Sequence, residues 1–151
     1  MERIKEAKNR VFYSDGLGYG KNNPISLHTK KTSVYRVTGM NQIKDIIECG
    51  YVRPKKGKVN GGHINEVFWS IGGDKLFYQN GRPVIEVLES KVKNGQIGAI
   101  HINDIEAIWM FDTEKNCYYN NLINIKKAHL EHQKEQLINN ISLTIEEPKK
   151  R

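Results

Sequence analysis

The chain has 151 residues, 38% hydrophobic and 27% charged, enough for one domain around one core and too few for two. Lys plus Arg exceed Asp plus Glu by 24 − 17, a formal charge of +7; this favours an anionic partner, nucleic acid or a phosphate-bearing cofactor, over a basic surface that only aids solubility. No apolar run approaches the roughly 20 residues that cross a bilayer. The start, MERIKEAKNR, lacks the apolar segment of a secretory signal, so a cytoplasmic protein without membrane contact is expected.

Residues 1–32 read as a polar, lysine-rich arm, with a short helical start and an irregular centre, SDGLGYGKNNP. The core is expected over 33–120. SVYRVTG alternates Val34, Arg36 and Thr38 with Tyr35 and Val37, a strand pattern. Asn41 is expected to cap a helix over QIKDIIEC with the stripe Ile43, Ile46, Ile47. Gly50 stands where a left-handed C-terminal residue belongs. RPKKGKVNGGHINE, residues 53–66, reads as a basic, glycine-rich loop able to contact an anion.

VFWSIGGDKLFY follows, a strand interrupted by Ser70 and the pair Gly72-Gly73. It reads either as a hairpin or bulge, or as the wall of a site where a ligand approaches the backbone. RPVIEVLES is a strand entered through Pro83. GQIGAIHI and IEAIWMF are two more, joined by the turn pair Asn103-Asp104. From 121 the spacing of Leu122, Ile125, Leu130, Leu137 and Ile141 predicts a long helix, ended by a basic tail. The fold class is therefore α+β.

Several residues suggest chemistry. Glu86 is flanked at i−2 and i+2 by Val84 and Leu88, so its carboxylate either meets solvent on an open face or is aimed into a cleft that tunes it. Arg36 sits between Val34 and Thr38; it either pairs with a carboxylate such as Glu86 or grips a phosphate. Tyr78 and Trp69 suit either stacking on a flat ring or the core. His129 and His132 are expected to be solvated, His101 to be buried, and no metal is expected to bind. Cys49 and Cys117 are expected to be reduced thiols.

The order of these segments adds to the reading. VYRVTGMNQIKDIIECGYVRP, VFWSIGGDKLFY and VIEVLES together resemble the landmarks of ADP-ribosyltransferase-fold proteins, nearest to the DNA-modifying ADP-ribosyltransferase toxins of bacterial toxin–antitoxin systems. The resemblance covers roughly residues 33 to 111. It implies a small split β-sheet core with a short helix after the first core strand, and NAD as cofactor. It also implies transfer of ADP-ribose to a nucleic-acid or protein acceptor, with an antitoxin or immunity protein as partner. By the same resemblance Glu86 is the catalytic carboxylate, with Glu106 in reserve. Arg36 and Thr38 hold the cofactor, Ser70 braces glutamate or ribose, and Tyr78 stacks on nicotinamide. Arg53, Lys55, Lys56 and Lys58 contact the acceptor. Cleaving the nicotinamide–ribose bond passes through an oxocarbenium-like state, which a carboxylate stabilises.

Two other classes fit the same residues. A small basic ribonuclease would use Glu86 as base, His101 or His63 as acid and Arg36 on the phosphate. A non-catalytic nucleic-acid-binding module would stack bases on Tyr35, Trp69 and Tyr78.

Overall fold

The computed structural model describes residues 8–12, 24–54, 66–71, 75–79, 81–93 and 99–149. Among them the order is β1 (Lys8–Phe12), β2 (Pro24–His28), β3 (Ser33–Val37), α1 (Met40–Cys49), β4 (Tyr51–Val52), β5 (Glu66–Ile71) and β6 (Lys75–Gln79). There follow β7 (Val84–Leu88), α2 (Glu89–Lys93), β8 (Ile100–His101), a 3-10 turn over Ile102–Asp104, β9 (Ile105–Asp112), β10 (Cys117–Asn120) and α3 (Leu122–Lys149). Helices and strands mix in one α+β unit, as the sequence suggests.

Six strands form the main sheet in the order β1-β5-β3-β7-β9-β10. Its pairs are antiparallel except β1 with β5, which run parallel. Two small pairs stand apart from it, β2 with β6 and β4 with β8. The segment expected as an arm thus supplies an edge strand, β1, and half of a two-stranded ribbon, β2. Neither shows a strong local pattern; both are held by partners far along the chain, Asn9 opposite Val67 and Ser26 opposite Phe77.

VFWSIGGDKLFY is not a hairpin. Its first half belongs to the main sheet and its second half pairs with β2 in the ribbon, so β5 and β6 lie in different sheets. The Asn103-Asp104 pair is not a hairpin turn either. It lies in and at the end of the 3-10 turn, which hands the chain from β8, paired with β4, to β9. The hairpin in this region is β9 with β10, turned at Asn116 with φ 56°.

Side-chain alternation divides the main sheet into two faces. On one, Val34, Ile85, Val87, Ile108, Val67 and Trp69 pack against Ile43 and Ile46 of α1 and Leu122 and Ile125 of α3. Each fully buried isoleucine there contributes about 1.5–3 kcal/mol. On the other, Tyr35 and Val84 pack under Leu27 of β2, with Val37, Trp109 and Tyr118 at the margin.

α1 begins two residues earlier than the sequence suggests, at Met40 rather than Gln42. Gly39, not Asn41, occupies the N-cap position, with extended backbone and no side-chain cap. Its end is as expected: Gly50 is left-handed at φ 80°, and its N–H donates to Ile46 O. His129 of α3 locks this corner. It is buried, not solvated, and its ring nitrogen Nδ1 hydrogen-bonds Ile47 O at 2.8 Å.

Candidate anion-binding site

β3 ends at Val37, and Thr38-Gly39 turn the chain into α1. That turn places the last outward residues of β3 against the first turn of the helix. A cavity of about 780 Å³ opens there, lined by Arg36, Thr38, Gln42, Asp45, Arg53 and Arg82 among others. Glycine at the N-cap leaves the first amides of α1 without a side-chain acceptor, and the first turn carries no acidic residue. The partial positive charge of the helix start is therefore uncompensated.

Arg36 forms the half-buried floor. Its Nε donates to Gln42 Oε1 at 2.7 Å, and Nη1 makes a long contact of 3.4 Å to Phe68 O. Among the described residues it has no carboxylate partner. Burial, and then the neighbouring charge of Arg82, pushes its guanidinium down to about 10. Arginine keeps its proton at any ordinary pH, so this direction marks a desolvated cation that no anion among the described residues neutralises.

Two further arginines stand at the rim. Arg82 is exposed and held by its Nε, which donates to Thr38 O at 3.2 Å, leaving its two terminal nitrogens for a ligand. Arg53 is already engaged. It forms a fork with Asp45, 2.9 Å from Nε to Oδ2 and 2.7 Å from Nη2 to Oδ1, and this pairing raises its pKa. The cavity thus has one arginine neutralised by a carboxylate and two with only neutral partners among the described residues. An anion with two or more oxygens fits that arrangement.

The proposed catalytic set does not meet in this cavity. Tyr35 lies opposite both Ser70 and Glu86, so these three share a sheet face, while Arg36 lies opposite Ile85 and points to the other. Ser70 and Glu86 do not line the cavity; Arg36, Thr38 and Arg53 do. Nor do Arg36 and Glu86 pair with each other. The reason is register: neighbours in a strand face opposite sides.

Glu86 is neither solvent-facing nor open to a cleft at its own face. It is 2% exposed, and both oxygens are occupied: Ser33 Oγ donates to Oε2 at 2.7 Å and Trp109 Nε1 to Oε1 at 2.8 Å. Beside it, the Tyr35 hydroxyl accepts from Lys30 N at 2.8 Å. Burial first, and then the Glu86 charge, push the Tyr35 phenol up to about 12. These contacts satisfy a buried carboxylate with neutral donors.

The remaining candidates scatter. Glu106 is exposed and is the extra residue of a bulge, since Glu86 pairs with Ala107 and Val87 with Ile105. Trp69 is core, with Nε1 donating to Asn9 Oδ1 at 2.9 Å. His101 is half-buried; its Nδ1 accepts from Asn103 N at 3.0 Å and so caps the 3-10 turn. Tyr78 lies on β6 opposite Ile25, with its side chain outside the described residues. Lys55, Lys56, Lys58 and His63 also lie outside them. Among the described residues both cysteines are free, and no group of three metal-ligating side chains occurs.

Gln42, Asp45 and Arg82 escaped the sequence reading. Asp45 and Gln42 sit on the polar side of a helix read only for its isoleucines. Arg82 has no local signal at all: antiparallel pairing of β3 with β7 brings the residue before Pro83 beside Thr38. Searches of family models, curated proteins and solved structures find no match to this chain.

Proposed function

We propose that the protein binds a phosphate-bearing nucleotide in the arginine-lined cavity, and that it transfers ADP-ribose from NAD to a nucleic-acid or protein acceptor. One observation carries the binding half: Arg36 is a desolvated cation without a carboxylate partner among the described residues, next to Arg82, at a helix start without an acidic residue. A pyrophosphate across Arg36 and Arg82 neutralises both and accepts from the amides of α1. The cavity volume, about 780 Å³, exceeds what a lone phosphate fills and falls in the range of organic-ligand pockets, roughly 300–1,000 Å³.

The transfer half rests on the resemblance to ADP-ribosyltransferases. The reaction needs a carboxylate near the ribose, to stabilise positive charge as the nicotinamide bond breaks. Asp45 lines the cavity, held by Arg53. Glu86 reaches a ligand only if the β2–β6 ribbon lifts from Tyr35.

The experiment measures binding and turnover separately. Calorimetry with NAD, ADP-ribose and pyrophosphate gives binding; labelled NAD with DNA, RNA and cell extract gives breakdown and transfer. Binding is expected in the wild type and lost in Arg36→Gln. No binding of any of the three ligands overturns the reading. Binding without NAD breakdown leaves the nucleotide site and removes the transferase. Turnover lost in Glu86→Gln, with binding and fold kept, assigns the chemistry to Glu86 and requires the ribbon to move.

A further inference from the structure

Arginines drawn partly out of water usually sit against a carboxylate, because an uncompensated charge is costly there. Arg36 instead meets the neutral amide of Gln42. Three contacts fix that amide in one orientation. Its Oε1 accepts from Arg36 Nε and from Thr38 Oγ1, both at 2.7 Å, and its Nε2 donates to Arg53 O at 3.2 Å. The reverse orientation would set an NH₂ against the Arg36 N–H and leave the Arg53 carbonyl facing an oxygen.

Position 42 is also the third residue of α1 after the Gly39 N-cap. That is where glutamate is favoured, since it faces the positive end of the helix and can reach back to the cap. Glutamate has nearly the shape of glutamine. It would lose the 3.2 Å donation to Arg53 O, but would still accept from Arg36 and Thr38 as a charged acceptor, the stronger pair of contacts. On two independent grounds, helix start and arginine pairing, folding would favour glutamate. Glutamine forgoes both gains and leaves the Arg36 charge unspent, the pattern of stability given up at a working site.

We infer that Gln42 is a positioning and specificity-determining residue, which fixes Arg36 without neutralising it and so keeps the cavity selective for phosphate. This rests on the reading of the cavity as an anion site. A carboxylate at 42 would occupy Arg36 from within and repel the ligand. A neutral side chain of similar length would leave the charge in place.

The test uses Gln42→Glu and Gln42→Met in the full chain, with pyrophosphate and ADP-ribose as probes, at constant ionic strength. Calorimetry and thermal unfolding are run on the same samples. Gln42→Glu is expected to melt at or above the wild-type temperature while affinity falls at least about tenfold, the scale of one lost charge-assisted contact. Gln42→Met is expected to retain more affinity than Gln42→Glu despite losing the guiding hydrogen bonds. Opposite movement of stability and affinity is the signature, since a merely structural residue would lower both. Wild-type protein that binds neither probe overturns the anion site itself. Wild-type binding with Gln42→Glu within about twofold of it, or a lowered melting temperature in Gln42→Glu, overturns the role of Gln42 and leaves the site standing.

Discussion

Arg36 and Glu86 lie one register position apart on the paired strands β3 and β7, and that step sends them to opposite faces of the sheet. Each then meets a different environment. Glu86 is enclosed by Ser33 and Trp109 beneath the β2–β6 ribbon. Arg36 opens into a cavity where Arg82 and the helix start add positive charge. One is an anion met by neutral donors; the other is a cation with no carboxylate partner among the described residues, and only the second invites a ligand.

Arg36→Met tests that contrast through stability. Removing a desolvated charge and keeping a side chain of similar length should leave the melting temperature unchanged or raise it, as replacement of buried ions by apolar residues often does. Pyrophosphate binding should disappear. A loss above about 2 kcal/mol in urea unfolding, the range for breaking a structural buried contact, would mark Arg36 as a brace for Gln42 and Phe68.

Glu86→Gln should fold. Its amide oxygen can accept from Trp109 Nε1 while its NH₂ donates to Ser33 Oγ, which has lone pairs to offer, so a cost of about 1 kcal/mol is expected. Glu86→Leu leaves both donors without an acceptor and should cost more, about 1–3 kcal/mol for each one that stays buried. Anion affinity at the cavity should be unchanged in both, because the opposite face of the sheet intervenes. Urea unfolding with parallel calorimetry checks the two statements together.

How much of this was legible in the residues differs by element. β3, α1 and β7 announce themselves through local periodicity: alternation around Arg36 and Glu86, the Ile43–Ile46 stripe, and Gly50 as terminator. The facing of Arg36 with Val34 was legible too. What was missing is pairing information. Only the alignment of Tyr35 with both Ser70 and Glu86 says that those two share a face that excludes Arg36. In the same way β1, β2 and β6 are strands because of distant partners, and Arg82 joins the cavity through the β3–β7 register.

Alkaline pH should separate two shielded phenols, buried Tyr35 and half-buried Tyr118, from those of the unfolded chain. Tyr35 and Tyr118 are both pushed up to about 12, chiefly by burial. Unfolded tyrosine loses its proton near 10, so from there upward the native state holds protons that the unfolded chain has released. Stability is therefore full below about pH 10 and falls as pH rises towards about 12. Tyr35→Phe should lower stability at neutral pH, since the Lys30 N–H loses its acceptor. It should also make the decline across this window shallower. Urea midpoints measured from pH 9 to 12 read both effects; an unchanged slope in Tyr35→Phe would contradict the assignment.

Gly50→Ala should be costly. The position has φ 80°, and an added Cβ would stand 2.8 Å from His129 Nε2. His129 has little room to yield, being tied to Ile47 O through Nδ1. Left-handed strain of about 1–2 kcal/mol adds to the cost of displacing α3 from α1. Thermal unfolding of this variant should show a fall of several degrees, and Gly39→Ala should not, because nothing lies within 4 Å of a Cβ there.

The parallel strand at the margin of the sheet carries a consequence for handling the protein. β1 supplies the hydrogen-bond partners of β5 from Lys8 to Phe12, and its Asn9 ties Trp69 Nε1 on one side and Val92 O on the other. Cutting the chain after residue 12 would turn β5 from an interior strand into a bare edge, rich in Val67, Phe68 and Trp69, whose unpaired amides and carbonyls would recruit strands from other molecules. A shortened protein that precipitates would thus report the loss of a chaperone-like first strand, with the cavity on the helix side still correctly built.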